Sequence, residues 1–127
     1  MGKKALIVID MINDFLDPGG SLYVGPQARE IIPFVARKIA EFRARGRLVI
    51  FVCDAHAPDD REFRYFPAHA VKGSWGAGTI PELPPAPGDY RVEKTRYSAF
   101  AHTNLDDILR QEQVEEVHVV GVLTSIC

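Results

Sequence analysis

Lys4-Ala5-Leu6-Ile7-Val8-Ile9-Asp10 opens the chain with an apolar run that does not alternate and that stops at a carboxylate. A strand apolar on both sides is buried on both sides, as in a parallel sheet covered by helices. Arg47-Leu48-Val49-Ile50-Phe51-Val52 and Val117-His118-Val119-Val120-Gly121-Val122 read the same way, and Tyr90-Arg91-Val92-Glu93 is a shorter strand. Between the first two runs, Ile31, Phe34, Val35, Ile39 and Phe42 recur at helical spacing and predict an amphipathic helix over 30–45. Pro33 suits its first turn, and Gly46 suits the position just past its end. Thr103-Asn104-Leu105-Asp106 reads as a capping box for a helix through Leu109 or Arg110. The order β-loop-α-β, a long irregular segment, then β-α-β predicts an α/β fold with three layers, α/β/α, around a mostly parallel central sheet.

Composition narrows the function. The 127 residues suffice for one domain, and 46% hydrophobic content is ordinary for a globular chain. Fifteen basic against seventeen acidic residues leave a net charge of −2, which speaks against a nucleic-acid partner. No apolar stretch is long enough to span a bilayer, so no membrane partner is expected. The apolar run behind Met1-Gly2-Lys3-Lys4 ends at Asp10, which suits a buried strand and not a signal peptide, and Leu6 stands where a myristoylation motif requires Ser or Thr. The expected location is the cytoplasm. The two cysteines, Cys53 and Cys127, are then thiols, with Cys53 an inert buried one.

In open parallel sheets, ligands bind outside the carboxyl ends of the strands. Every strand of this chain ends on or near a reactive side chain: Asp10, then Cys53, Asp54 and His56, then Lys94, then Cys127. Asp54, His56, Glu62 and His69 bring two imidazoles and two carboxylates together within sixteen residues. Two histidines and a carboxylate suit Zn²⁺, Fe²⁺ or Mn²⁺ and leave positions open for water or substrate. The alternative is a set of separate loop residues with Glu62 solvated, and spacing alone leaves both open. Cys127 follows a turn after the most apolar strand, where the start of a helix lowers a thiol pKa. Its alternative is a buried structural cysteine. Asp10 is a candidate acid/base or a turn cap, and Lys94 a thiolate partner or a snorkelling surface lysine. Phe15, Phe66, Trp75 and Tyr97 fall in expected loops near the strand ends, where they either wall a flat aromatic substrate or pack beneath the loops. His102 and His118 read as structural.

Five blocks then carry a resemblance. Asp10-Met11-Ile12-Asn13-Asp14-Phe15, Asp54-Ala55-His56, Phe66-Pro67-Ala68-His69, Glu93-Lys94-Thr95-Arg96-Tyr97-Ser98-Ala99-Phe100 and Gly121-Val122-Leu123-Thr124-Ser125-Ile126-Cys127 resemble the isochorismatase-like cysteine hydrolases, and among them the nicotinamidases (pyrazinamidases/nicotinamidases) most. The resemblance runs along the whole chain and implies one hydrolase domain over residues 1–127. It implies a catalytic triad of Asp10, Lys94 and Cys127. It implies one divalent metal ion on Asp54, His56 and His69, with Glu62 as a further carboxylate ligand, and a pyridine ring stacked on Phe15 and Phe66. It also implies a cis peptide between Val122 and Leu123, which would help aim the amides of Leu123 and Cys127 into an oxyanion hole. The implied reaction takes nicotinamide to nicotinate and ammonia through a thioester. Another amidase acting on a carbamoyl or ureido compound is the nearest rival, and an inactive binding homologue the next. The partners expected are a small amide substrate and further copies of the chain. Because Gly121 to Cys127 has the shape of a strand, a turn and a helix start, the domain is also expected to continue past Cys127.

Overall fold

The computed structural model describes residues 3–56, 59, 70–94 and 104–121. Four parallel strands form its sheet: β1 (Lys3–Ile9), β2 (Leu48–Asp54), β3 (Tyr90–Lys94) and β4 (Val114–Gly121), in the order β3-β2-β1-β4. The helices are α1 (Asn13–Leu16), α2 (Pro26–Arg29), α3 (Ile32–Ala44) and α4 (Leu105–Gln111). No described helix is long and apolar enough to cross a membrane.

Strand alternation divides the core into two layers. On one face Leu6, Val8, Val49, Phe51 and Cys53 pack against Ile32, Val35, Ile39 and Phe42 of α3. On the other, Ala5, Ile7, Ile9, Ile50, Val52 and Val92 pack against Leu105 and Ile108 of α4. Burying each such side chain stabilises the fold by roughly 1.5–3 kcal/mol, so two covered faces explain why β1 and β2 barely alternate in sequence. This is the three-layer α/β fold expected.

α3 occupies nearly the span its periodicity predicts, with Pro33 in its first turn. Gly46 takes φ 66° just past its end, where its N–H returns to Arg43 O at 3.0 Å. Two expectations need correction. α4 begins one residue later than a box capped by Thr103 requires, with Asn104 at the cap and no side-chain capping bond. The Asn104 carbonyl starts the helix instead, accepting the Ile108 N–H at 3.1 Å. β4 is also not buried on both faces, since Val117 and Val119 are 44% and 51% exposed. They lie at the sheet edge, beyond the part of the face that α4 seals.

The four prolines between Pro81 and Gly88 lie on a surface loop. Leu83 anchors it in the core, and Arg29 and Arg43 tie it down through Glu82 and Asp89.

Candidate active site

Three neighbouring strands deliver their last residues to one point. Asp54 and Lys94 are register partners on β2 and β3, so their side chains leave the same face of the sheet. Asp10 follows β1 in the left-handed region, at φ 54°. Such a conformation costs an ordinary residue roughly 1–2 kcal/mol, less for Asp, and persists where neighbours enforce it. Here the Asp10 N–H donates to Val52 O at 2.8 Å, and Asp10 Oδ1 accepts the Asp54 N–H at 3.0 Å. The turn thereby directs the carboxylate sideways, toward the end of β2.

Lys94 joins the set. Its Nζ lies 3.2 Å from Asp10 Oδ2 and donates to Asp54 Oδ1 at 2.5 Å. The Lys94 and Asp10 side chains are both fully shielded from solvent, at 0% exposure. Lys94 is therefore not a snorkelling surface lysine, and Asp10 is more than a turn cap. An ammonium this deep is tolerable because two carboxylates receive it.

Asp54 is the hinge between two groups. Its Oδ1 faces Lys94, and its Oδ2 stands 3.6 Å from His56 Nε2, an electrostatic contact too long for a hydrogen bond. Burial pushes the Asp54 carboxyl up, but His56 and the Lys94 ammonium outweigh it and hold the group below the ordinary carboxylate range. Asp54 thus stays ionised.

No three donors converge among the described residues, but the Asp54–His56 pair has the donor types that suit a divalent cation. Two ligands bound at about 2.1 Å to a tetrahedral ion lie roughly 3.4 Å apart, near the Asp54–His56 separation. The ionised Asp54 carboxylate gives such an ion a further reason to bind. Glu62 and His69, the other two ligands implied by the resemblance, lie outside the described residues, as do Phe66, Leu123 and Cys127. The described part of the candidate site is therefore Asp10, Phe15, Asp54, His56 and Lys94.

Phe15 is not in a loop. It belongs to α1, is 2% exposed and is part of the core cluster under α3. Trp75 is no packing residue either, since it is 58% exposed and contributes its carbonyl, which accepts the Asn13 Nδ2 donor at 2.8 Å. Cys53 is inert as expected: burial drives its thiol up to about 11, against a smaller lowering by Arg91. His118 is structural, packed edge-on to Phe42 with ring centroids 5.3 Å apart.

Sequence reasoning missed the sutures that hold the site's loops. Asn13 N–H donates to Gly78 O at 2.9 Å, and Ile80 N–H to Met11 O at 3.0 Å. Arg91 on β3 donates to Ala77 O at 2.8 Å. Gly121 lets β4 close on β1 beside Asp10, since a Cβ there would lie 2.1 Å from Ile9 O. Asp14, with both carboxylate oxygens engaged, was not singled out at all. Its trace in the sequence is a pair of glycines, Gly20 and Gly76, whose missing Cβ atoms leave it room.

A fold of this kind, with a buried carboxylate–lysine set outside the strand ends, defines an α/β protein with a polar site in the position where such sheets bind ligands. Residues 4–127 match the isochorismatase domain family, and the chain belongs to that family of hydrolases. The nicotinamidase/pyrazinamidase PncA of Bacillus subtilis is 40% identical, with a TM-score of 0.90 over 98% of this chain and 74% of that one. The N-carbamoylsarcosine amidase of Thermoplasma acidophilum is 41% identical, with a TM-score of 0.86 over 94% and 67%. The pyrazinamidase of Pyrococcus horikoshii, solved in complex with zinc, is 34% identical, with a TM-score of 0.90 over 98% and 73%. By sequence, a probable inactive nicotinamidase of Arabidopsis thaliana is 36% identical over 98% of this chain and 68% of its own length.

Proposed function

We propose that the chain is a metal-assisted cysteine amidohydrolase that converts nicotinamide to nicotinate and ammonia. The observation that carries this reading is the buried Asp10–Lys94 pair, 3.2 Å apart and beside Asp54 and His56. A surface-type role does not need a lysine hidden between two carboxylates.

In this mechanism Asp10 takes the proton from the Cys127 thiol, and the thiolate attacks the carboxamide carbon. The amides of Leu123 and Cys127 receive the oxyanion that forms. Asp10 returns the proton to the amide nitrogen as the C–N bond breaks, and ammonia leaves behind a thioester. Water, deprotonated by Asp10, cleaves the thioester and restores the thiol. Lys94 remains protonated throughout. It holds the Asp10 carboxylate in place and favours negative charge on the neighbouring sulfur.

Asp54 and His56 would hold the metal ion with His69, and Glu62 would add a carboxylate. A bound Zn²⁺, Fe²⁺ or Mn²⁺ offers a Lewis-acidic point for a pyridine nitrogen. Phe15 and Phe66 would flank the ring.

Similarity to the N-carbamoylsarcosine amidase favours a second reading, a hydrolase of carbamoyl compounds with the same triad. Ammonia release should be measured on nicotinamide, pyrazinamide and N-carbamoylsarcosine, with the metal content of the same sample determined. Turnover of nicotinamide by zinc-, iron- or manganese-containing protein supports the first reading. Preference for the carbamoyl compound by metal-free protein supports the second. No turnover of any of them would overturn both in favour of an inactive homologue.

A further inference from the structure

We propose that Asp14 is a positioning residue for the metal site: by gripping Ala70, it holds the backbone to which the candidate ligand His56 is hydrogen-bonded. The inference rests on the metal reading above and adds a role that the reading does not need. Asp14 is 8% exposed, and both of its oxygens accept backbone donors. Oδ1 takes the Ser21 N–H at 3.0 Å, and Oδ2 takes the Ala70 N–H at 2.7 Å. Asparagine would fill the same space but offers a single acceptor, and its amide nitrogen would face one of those N–H groups. Two convergent donors call for a carboxylate. Gly76 closes the other side, where a Cβ would come within 1.9 Å of Asp14 Oδ2.

The object of this grip is unusual. Ala70 is fully buried and sits at φ 46°, a region that an alanine enters only at a cost. It is held from both sides, since its carbonyl accepts the His56 N–H at 2.8 Å. The Lys72 N–H returns to His56 O, also at 2.8 Å. One candidate ligand, His56, is therefore bonded through both its N–H and its carbonyl to the segment that Asp14 anchors. Asp14 holds Ala70 by its N–H, on the other side of the residue from the carbonyl that His56 uses. A loop that only had to turn could use glycine at position 70 without strain. Strain held from two sides beside a candidate ligand marks a position that the backbone of His56 is made to keep.

Asp14→Asn tests this in the whole protein. Metal-free protein is titrated with Zn²⁺ against a chromophoric chelator, and the alkylation rate of Cys127 is followed in parallel. Loss of an outer partner of a ligand typically costs 10–100-fold in metal affinity. Asp14→Asn is expected to weaken Zn²⁺ binding by roughly that factor and to leave Cys127 alkylation within about twofold. Unchanged zinc affinity beside a zinc-binding wild type overturns the positioning role and spares the metal reading. A wild type that takes up no zinc overturns both. Equal losses in zinc affinity, alkylation and melting temperature would show a purely structural residue. If the variant does not fold, hydrogen exchange on the wild type decides. The Ala70 amide should be protected and become more so when Zn²⁺ is added, whereas protection indifferent to zinc would overturn the proposal.

Discussion

The two ends of the sheet carry the same kinds of charge and put them to different use. At the carboxyl end, Asp10, Asp54, His56 and Lys94 are each at most 8% exposed, and one ammonium serves two carboxylates. At the amino end, Lys3, Lys4, Arg43, Arg45 and Arg47 line an open cleft of about 560 Å³ with Asp89 and Glu112. Its charges are more numerous, with Lys3 and Arg45 exposed and the others half-buried. The Lys4–Glu116 pair there spans 3.4 Å with side chains 38% and 53% exposed. Such pairs contribute little, because water screens them and two long side chains must be ordered. Burial, more than the count of charged residues, separates a site from a solvated rim. The carboxyl end is dry because β1 and β2 are covered on both faces where they stop, and β3 turns its buried face, with Lys94, toward them.

The largest effect should come from breaking the buried end. Lys94→Met leaves two carboxylates without their shared cation. It should destabilise the protein by roughly 3–5 kcal/mol in urea unfolding and abolish amide turnover. A loss no larger than that of a rim substitution would erase the contrast between the two ends.

Next is the alkaline limb. Cys53 titrates at about 11 when folded and near 9.0 when unfolded, so the folded state holds the proton more tightly. Its contribution is complete below pH 9 and is lost as pH rises from there toward 11, by about 3 kcal/mol in all. Cys53→Ala should flatten that part of the stability curve and leave turnover nearly unchanged. Identical curves for wild type and variant between those pH values would show that the thiol is not buried.

Asp54 shapes the acid limb with the opposite sign. Its folded pKa is depressed, so its contribution is present above the ordinary carboxylate pKa and is lost as pH falls through the lower folded value. Asp54→Asn should shrink the loss of stability below about pH 4. It should also remove metal from the purified protein. A variant that keeps both the acid limb and the metal would place the ligand set elsewhere.

The smallest effect belongs to the rim. Lys4→Met should change stability by less than about 1 kcal/mol, and raising salt should weaken even that. A larger, salt-insensitive loss would mean that the amino-end cleft is as structured as the site.

How much of this was readable in advance depended on the range of the interactions. α3 was legible because its signals are local: a 3.6-residue period, Pro33 in the first turn and Gly46 at φ 66° after the last. The start of α4 was not, because Asn104 caps it without a side-chain bond and Leu105 and Ile108 fix the helix by packing, neither of which leaves a capping signature. Phe15 looked like a loop aromatic because α1 has only four residues, too few for a period to show. Asp14 escaped notice because its partner Ala70 is 56 residues away.

The sequence by itself determined that a parallel sheet forms and which residues stand at its carboxyl edge. Unbroken Val and Ile runs are stable only when covered on both faces, and a strand's last residue follows from where its apolar run stops. Tertiary structure alone decided that these edge residues form a set. Lys94 reaches Asp10 because β2 lies between β3 and β1, and because Asp10 turns at φ 54° to present its carboxylate sideways. Strand order and that turn arise from contacts among distant segments, which no local pattern encodes.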